Sequence, residues 1–351
     1  MQTVATPALT NSRRVPSDGI LGANVAQTAE QQKLADKEKK ADEAVASVST
    51  EDVFASLQKE ANVLRDVRPR SHKFIGIGGH EGTSKSGIVF DAYAKDPQRA
   101  EQDQLWVLDY DSGSMMLHDA HYGEDRSVVN WDPWVFQVGE RTANDYPATH
   151  KRTLDIINYA IHIAEKQLDP EYDGERLWGL LVSGVDLWDQ VCINNMRITD
   201  LGLAKDGIDA ADNRGSGKGE RVGHQWDWAM RKTRFHQLTA VCRRLVKLGV
   251  SVFWETHLRK TNYSYGDSEK NAKWRPDWEK ASNNYIPTIL ICERNDEHDE
   301  DGNVVRSEYV VTFEKCKTNA ELQGQRRTTF ITKAGEKPEW RGLPELYDGS
   351  L

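Results

Sequence analysis

The sequence predicts an α/β fold with a mostly parallel central sheet flanked by helices and with antiparallel strands at the C-terminal edge. From residue 73 onward, apolar runs typical of strands alternate with segments of helical periodicity. The run LWGLLV at 177–182 is apolar throughout, as in a strand buried on both faces. Near the C-terminus, apolar segments at 286–293 and 304–315 flank an acidic turn, which is typical of paired antiparallel strands.

The chain begins with a segment of different composition. Residues 1–48 are rich in Ala, Gln, Lys, Glu, Ser and Thr and have almost no large apolar residues, which predicts a disordered or weakly helical tail. The letters STED at 49–52 resemble a helix start, so we predict an N-terminal helix and linker over 49–72. A core then extends over 73–340, and we predict a C-terminal tail at 341–351.

Within this core the periodicity defines the elements. The helix at 150–167 is typical, because Leu154, Ile157 and Ile161 fall on one face. Two polar or basic stretches, 199–224 and 258–284, interrupt the alternation. The predicted helices are 86–93, 150–167 and 225–248, and the predicted strands are 73–78, 104–108, 134–138, 177–182, 250–254, 286–293, 304–315 and 327–333.

Composition limits the classes of partner. The chain has 351 residues, 38% of them apolar, and a formal net charge of −9, so nucleic-acid binding would have to come from local basic loops. No run approaches the roughly 18 apolar residues of a membrane span, so we expect a cytoplasmic protein with no membrane partner. The cysteines are far apart with no CxxC motif, which predicts buried free thiols: Cys192, Cys242, Cys292 and Cys316.

The letters GGHEGTSKS at 78–86 predict a phosphate-binding loop, because they follow a strand and open a helix. In such a loop Lys85 reaches the β- and γ-phosphates and the Ser86 hydroxyl binds Mg²⁺. Ser84 stands where a glycine usually precedes the lysine. The alternative is a Gly/Ser-rich turn without a ligand. The predicted contacts to the nucleotide are Gly79, Gly82, Thr83, Ser84, Lys85 and Ser86.

Polar side chains follow the other predicted parallel strands, at the edge of the sheet where ligands bind. Asp109 and Asp111 follow the second strand, Ser183 and Asp186 follow the 177–182 strand, and Glu255, Thr256 and His257 follow the 250–254 strand. Phosphoryl transfer needs a carboxylate for the metal, a base for the attacking water and a polar sensor of the γ-phosphate. We therefore expect Mg²⁺ to be held by Ser86, Asp109 and Asp186.

The order and spacing of these motifs resemble the RecA/RadA-type core ATPases, in particular the small RecA-like proteins of phages and viruses that act in recombination and single-strand annealing. The resemblance covers 73–333. In that family a strand after the first helix ends in Asp-x-Glu, whose acidic residue activates water, so the resemblance implies Asp111 as the catalytic base. A later strand ends in Asp-Ser, and here Ser183 occupies the aspartate position. Asp186 then reaches the Mg²⁺ shell, or a hydroxyl acts through water, or hydrolysis is weak or absent.

The resemblance implies further roles. His257 or Thr256 would sense the γ-phosphate, and Lys315 and Lys317 would enter a neighbouring subunit's nucleotide site; the alternatives are a structural histidine and solvated basic residues. The segments 193–224 and 258–284 correspond to loops that contact DNA. Nucleic-acid contacts are expected from Arg214, Lys218, Arg221, Arg259, Lys260, Tyr263, Tyr265, Lys273, Trp274 and Arg275.

Three functional hypotheses follow from the sequence. The first is an ATP-hydrolysing, Mg²⁺-dependent RecA-like protein that forms a ring or filament and handles single-stranded nucleic acid, DNA rather than RNA. The second is a terminase-like DNA-packaging motor, which normally adds a nuclease domain. The third is a nucleotide-binding scaffold with weak or no hydrolysis, because Ser84 and Ser183 depart from the usual motifs.

Overall fold

The chain divides into two units, Met1–Arg68 and Pro69–Leu351. The computed structural model describes residues 54, 55, 58, 73–123, 125–137, 143–200, 225–260 and 274–351. The three described residues of the first unit, Phe54, Ala55 and Gln58, are helical. The predicted tail at 1–48 and most of the predicted helix and linker at 49–72 lie outside the described residues.

The described part of the second unit contains one large sheet and two short ribbons. In chain order the strands are β1 (Phe74–Gly79), β2 (Asp103–Asp109), β3 (Val128–Trp131), β4 (Phe136–Gln137), β5 (Ala143–Asn144), β6 (Arg176–Ser183), β7 (Ser251–Thr256), β8 (Leu258–Lys260), β9 (Trp274–Pro276), β10 (Thr288–His298), β11 (Val304–Cys316), β12 (Arg326–Lys333) and β13 (Glu339–Trp340). Within the described ranges, the large sheet has the order β13-β12-β11-β10-β1-β7-β6-β2-β3. The strands from β10 to β3 are parallel, whereas β10 to β13 pair antiparallel.

Helices cover both faces of this sheet. They are α1 (Lys85–Lys95), α2 (Ser114–Tyr122), α3 (Tyr146–Lys166), α4 (Val185–Thr199), α5 (Gln225–Lys247) and the short α6 (Ser282–Tyr285), followed by a 3₁₀ turn at Pro344–Leu346. One core lies between the sheet and α3, α4 and α5, and a second lies on the α1 and α2 face. Strand β2 contributes to both, since Trp106 and Leu108 enter the first core and Leu105 and Val107 enter the second. Burial on both faces explains the continuous apolar runs of the parallel strands.

The predicted α/β fold, with a mostly parallel sheet and antiparallel strands at the C-terminal edge, is confirmed. The four cysteines are buried free thiols, also as predicted. Helix α3 begins four residues earlier than predicted, because the Asp145 carboxylate accepts a 3.1 Å hydrogen bond from the Ala148 N–H and caps the helix. None of the helices among the described residues has the length and apolarity needed to span a bilayer.

The strand predicted at 134–138 is shorter among the described residues, Phe136–Gln137, and it does not join the large sheet. The outer strand of the sheet is β3, Val128–Trp131, and Phe136–Gln137 pairs instead with Ala143–Asn144 in a separate ribbon. Side chains explain the difference. The Val135 N–H donates to Thr149 Oγ1 of α3 at 3.0 Å, and the Trp134 indole donates to the Tyr110 carbonyl at 2.8 Å. This segment is therefore fixed by contacts to α3 and the β2 end rather than by a strand neighbour.

The C-terminal segment is packed, contrary to the tail predicted at 341–351. Leu343 and Leu346 are buried in the core on the α1 face. Lys73 Nζ donates to the carbonyl oxygens of Glu345 at 3.0 Å and Leu346 at 2.6 Å. Burial lowers the pKa of Lys73 to about 8. The packed core therefore continues past residue 340.

Candidate functional site

The loop between β1 and α1 contains two residues with a positive φ. Gly82 has φ 68°, and Ser84 has φ 60° and ψ 35°, both in the left-handed region. A residue with a Cβ pays about 1–2 kcal/mol there, which explains why glycine is usual before the lysine. The Ser84 hydroxyl oxygen is buried and has no hydrogen-bond partner among the described residues. A strained residue with an unsatisfied hydroxyl at a helix start is typical of a ligand site.

Lys85 lies inside this loop. Its side chain is 7% exposed, and its Nζ donates to the His80 carbonyl at 3.2 Å. Thr83 Oγ1 donates to the same carbonyl at 2.8 Å, which closes the loop. On its other side the ammonium group lies 3.9 Å from Glu255 Oε1. The cation is therefore held between the loop backbone and β7, at the N-terminus of α1, where an anion is favoured.

Glu255 is the residue that the sequence analysis placed at a strand end without assigning a role. Its Oε2 accepts a 2.7 Å hydrogen bond from Ser86 Oγ, and the residue is 4% exposed. Burial raises the pKa of Glu255 to about 7, although Lys85 and the Ser86 hydroxyl act in the opposite direction. The predicted metal ligand Ser86 therefore meets a carboxylate from the strand next to β1.

Three residues form a row across the parallel strands. Asp109 on β2 is opposite Ser183 on β6, which is opposite Glu255 on β7. Ser183 Oγ donates to Asp111 Oδ1 at 3.3 Å, so Asp111 also belongs to the site. A carboxylate at position 183 would lie between Asp109 and Glu255 and against Asp111, where like charges repel. The serine separates these acidic groups.

Asp109 is buried in this row. Its Oδ2 accepts a 3.2 Å hydrogen bond from the Ser114 N–H at the start of α2. Its Oδ1 is buried without a hydrogen-bond partner in the described part of the chain. Burial, followed by the neighbouring carboxylates of Asp111 and Glu255, raises the pKa of Asp109 to about 7. Such an oxygen is satisfied by a proton or by a cation.

The predicted metal site requires Asp186 beside Ser86, but the hydrogen bonds of Asp186 are made with His257 and Thr256. Asp186 lies in the first turn of α4, and its Oδ2 is 3.0 Å from His257 Nδ1. Its Oδ1 is 3.3 Å from the Thr256 hydroxyl. Burial alone would raise the pKa of Asp186, but the hydrogen bond to His257 lowers it, and the same bond raises the pKa of His257. Asp186 therefore orients the predicted sensor residue.

Lys315 and Lys317, which the resemblance directs to a neighbouring subunit, differ in their surroundings. Lys315 lies within β11 rather than after a strand, and its Nζ donates to the carbonyl oxygens of Asn283 and, at 2.5 Å, Ile286. Burial lowers the pKa of Lys315. The lysine thus closes the end of α6 in its own chain. Lys317, in contrast to Lys315, is exposed.

Part of the predicted nucleic-acid surface lies beside the phosphate loop. The ribbon of β8 and β9 pairs Lys260 with Trp274 and Arg259 with Arg275. Trp274 is 50% exposed, and its ring centroid is 4.5 Å from that of His80, in the loop. Lys260 Nζ lies 5.5 Å from the centre of the Trp274 ring. The other six predicted contacts, Arg214, Lys218, Arg221, Tyr263, Tyr265 and Lys273, lie outside the described residues.

A cavity of about 580 Å³ separates this ribbon from β10 and β11. Its lining includes His80, Trp274 and Arg275 on one side and Glu293 and Lys317 on the other. Small-molecule sites have volumes of roughly 300–1,000 Å³. The cavity lies on the sheet face opposite α1. Both the β8–β9 ribbon and the phosphate loop line it, the loop through His80.

The donor set around Ser86 suits a hard cation. No group of three or more His, Cys, Asp or Glu side chains within the described ranges is arranged to hold a metal ion by itself. Mg²⁺ takes few protein ligands and keeps water and phosphate oxygens, and a hydroxyl with nearby carboxylates is the usual donor chemistry. Ser86 and Glu255, in contact at 2.7 Å, provide a hydroxyl and a carboxylate for such an ion beside a phosphate group.

Comparison with known proteins adds no identification, since no protein-family model and no curated protein matches the chain. The fold and the site define the class: a mixed α/β protein with a mostly parallel sheet and a polar cluster at the carboxyl ends of its central strands.

Proposed function

We propose that the chain is a RecA-like P-loop ATPase that binds ATP with Mg²⁺ and acts on single-stranded nucleic acid, DNA rather than RNA, in phage or viral recombination or replication. The observation that carries the proposal is the contact of Ser86 with Glu255 at 2.7 Å, beside a Lys85 held in a loop with left-handed Gly82 and Ser84. Self-association into a ring or filament belongs to the same proposal.

The residues divide the work of phosphoryl transfer. Lys85 neutralises the β- and γ-phosphates, and Ser86 with Glu255 and Asp109 would hold Mg²⁺ or its water ligands. The ion would supply charge neutralisation at the phosphate oxygens. Asp111, held by Ser183 at 3.3 Å, accepts the proton of the attacking water. His257 senses the γ-phosphate, and because it immediately precedes β8, its position is linked to the β8–β9 ribbon.

One observation favours a second candidate, a nucleotide-binding scaffold. Ser183 replaces the expected carboxylate and also engages Asp111, so both the metal and the base lack part of their usual arrangement.

Nucleotide binding is tested by calorimetry with MgATP. Lys85→Ala should lower affinity about 10- to 100-fold, because a hydrogen bond to a charged group contributes about 1.5–3 kcal/mol. Lys95→Ala is the matched control: Lys95 lies at the other end of α1, pairs with Asp91 at 2.8 Å and should leave affinity unchanged. Equal affinity of Lys85→Ala and the wild-type protein would refute the proposal.

The nucleic-acid partner is tested by turnover and by salt dependence. Strong stimulation of ATP turnover by single-stranded DNA supports the first candidate, whereas stoichiometric ATP binding without turnover supports the scaffold. Replacing Lys260, Lys273 and Arg275 with alanine should reduce the slope of log K against log[salt] by about 2, at about 0.7 per lost phosphate contact. Lys151→Ala, on the exposed face of α3, is the control. An unaltered slope in the triple variant contradicts the assignment of the ribbon.

A further inference from the structure

A row of side chains crosses the antiparallel strands at one level. Arg294 on β10 is paired with Tyr309 on β11, Tyr309 with Phe330 on β12, and Phe330 with Trp340 on β13. Paired residues of neighbouring strands share a face of the sheet. The ring centroids are 5.0 Å apart for Tyr309 and Phe330 and 4.0 Å apart for the stacked pair Phe330 and Trp340. Tyr309, Phe330 and Trp340 are called the aromatic row below.

Both ends of this arrangement lie against the phosphate loop and its helix. A Cβ added at Gly87 would lie 2.6 Å from Cη2 of Trp340, and one added at Gly82 would lie 4.0 Å from Nη1 of Arg294. Gly87 directly follows Ser86 in the first turn of α1. The glycine lets the indole edge approach the helix backbone more closely than any side chain would allow. Trp340 therefore packs against Gly87, the residue that follows the proposed metal ligand Ser86.

The positions of the charged groups set the direction of a bound triphosphate. Glu255 and Asp109 lie on β7 and β2, on one side of β1, and they require the γ-phosphate and its metal to lie there. Lys85 binds the β- and γ-phosphates, and the loop backbone binds the α- and β-phosphates. The nucleoside end then leaves the loop on the other side of β1, over β10 to β13. That is the side on which the aromatic row lies.

We infer that the base of the bound nucleotide stacks on Trp340, at the end of the aromatic row, and that the site accepts purine nucleotides by ring stacking without base-specific hydrogen bonds. The inference rests on the proposed function and names the ligand class of the same site. Phe330 is buried, whereas Trp340 is partly exposed. Stacking on an aromatic ring contributes to affinity for any base, and its strength follows ring size.

Arg294 limits the other end of the site. Its guanidinium is held by Asp296 at 2.7 Å and Ser307 at 3.2 Å, and it lies 5.8 Å from the centre of the Tyr309 ring. These contacts fix the cation beside Gly82, so it adds positive potential at the loop. The aromatic row supplies the apolar wall, and Arg294 supplies charge toward the phosphates rather than selectivity among bases.

The test measures binding of ATP, GTP, CTP and inorganic tripolyphosphate, each with Mg²⁺, by calorimetry. Wild-type affinities for ATP and GTP should agree within about threefold, and CTP should bind more weakly. Trp340→Leu keeps an apolar side chain but removes the ring, and it should weaken ATP binding at least about tenfold while leaving tripolyphosphate binding unchanged. Trp340→Phe should retain most of the affinity. Phe136→Leu, which removes an exposed ring from the β4–β5 ribbon, is the matched control.

The outcomes separate the two proposals. If the wild-type protein binds neither ATP nor tripolyphosphate, the proposed function fails. If the wild-type protein binds ATP and Trp340→Leu binds it equally well, only the present inference fails. An equal loss of ATP and tripolyphosphate binding in that variant also overturns it, because the defect then lies in the loop. A more than 100-fold preference between ATP and GTP overturns the absence of base-specific contacts.

A second measurement uses the unaltered chain, so it does not depend on how a variant folds. Light-activated labelling with 8-azidoadenosine triphosphate should modify the peptide that contains Trp340 or the strand that contains Arg294, and excess ATP should prevent it. Labelling confined to the β8–β9 ribbon or to His80 would place the base in the cavity on the opposite face and would overturn the inference.

Discussion

The two flanks of β1 differ in chemistry, although they adjoin the same loop. On the β7–β6–β2 flank, the strands are parallel and end in buried acids, and burial raises the pKa values of Glu255 and Asp109 to about 7. On the β10–β13 flank, the strands are antiparallel and carry the aromatic row. Parallel strands end at the edge of the sheet, so only their last residues reach a ligand. Strand β10 continues from Cys292, opposite Gly79, to His298, and its hairpin therefore presents side chains above the edge.

Under the proposed function, the β7–β6–β2 side is the reactive flank of the loop and the β10–β13 side is its recognition flank. Buried carboxylates with raised pKa values cost stability and are typical of functional sites. Stacked rings that bury apolar area stabilise the fold. A substitution on the acidic flank should therefore change chemistry more than stability, and one on the aromatic flank should change stability and affinity more than chemistry.

The largest expected effect is on turnover at the acidic flank. Asp111→Ala should bind ATP as the wild-type protein does and lose about 10²- to 10⁴-fold in turnover, the usual contribution of a general base.

Glu255→Gln keeps an acceptor for the Ser86 hydroxyl but loses the negative charge, and it should weaken the Mg²⁺ dependence of ATP binding. Steady-state hydrolysis and calorimetry at several Mg²⁺ concentrations measure both effects.

The control for this pair is Asp155→Ala, on the exposed face of α3. Unchanged turnover in Asp111→Ala would refute its role as the base. If turnover is lost only in Glu255→Gln, the base belongs to β7 rather than to β2, and the reactive flank is centred one strand closer to the loop.

The next effect is on stability at the aromatic flank. Gly87→Ala in an isolated helix would be favourable by about 1 kcal/mol. Here the added Cβ would lie 2.6 Å from both Trp340 Cη2 and Ser84 Oγ, so we expect a net loss of about 1–3 kcal/mol, as in overpacked cores. Urea unfolding measures the free energy of unfolding of this variant.

The matched control is Gly113→Ala, where the added Cβ would make only an ordinary 3.4 Å contact with Asp111 Oδ1. The double variant Gly87→Ala with Trp340→Leu should recover part of the loss, because the indole edge is removed. A stabilised Gly87→Ala protein would show that Trp340 does not press against α1.

The sequence predicts best those elements whose signal is local. The continuous apolar run of β6 and the long periodic segment of α5 were located within two residues, and the turn between β1 and α1 was located from the consecutive letters at 78–86. The strand predicted at 134–138 was misplaced because the Thr149 hydroxyl and the Tyr110 carbonyl fix that segment. The β-strand propensity of a segment does not include such contacts with distant residues.

The candidate site was only partly predictable, because its key contacts join distant segments. Ser86 and Glu255 are 169 residues apart in the chain, and their contact depends on β7 lying beside β1. Asp186 was assigned to the metal because it follows a strand, but the start of α4 directs it to His257. A list of acids at strand ends does not give the order of the strands. The aromatic row depends in the same way on the register of four strands.

The smallest expected effect is on the pH dependence of stability, and it distinguishes the flanks without any ligand. The pKa of Asp109 is about 7 in the folded chain and about 3.9 in an unfolded chain. Between these values the folded state binds more protons than the unfolded state, so this group makes stability fall as pH rises from about 4 to about 7. Asp109→Asn removes the contribution and keeps an acceptor for the Ser114 N–H.

Asp109→Asn should therefore unfold about 2–4 °C above the wild-type protein at about pH 8, and the difference should vanish near pH 4. Asp155→Asn, an exposed control, and Trp340→Leu should show differences from the wild-type protein that are independent of pH over this range. A variant that is less stable than the wild-type protein at pH 8 would mean that Asp109 is ionised and favourably paired. MgATP should reverse the order, because a cation near Oδ1 stabilises the carboxylate and not the amide. That reversal would show that the stability lost by burying the Asp109 carboxylate is recovered when MgATP binds.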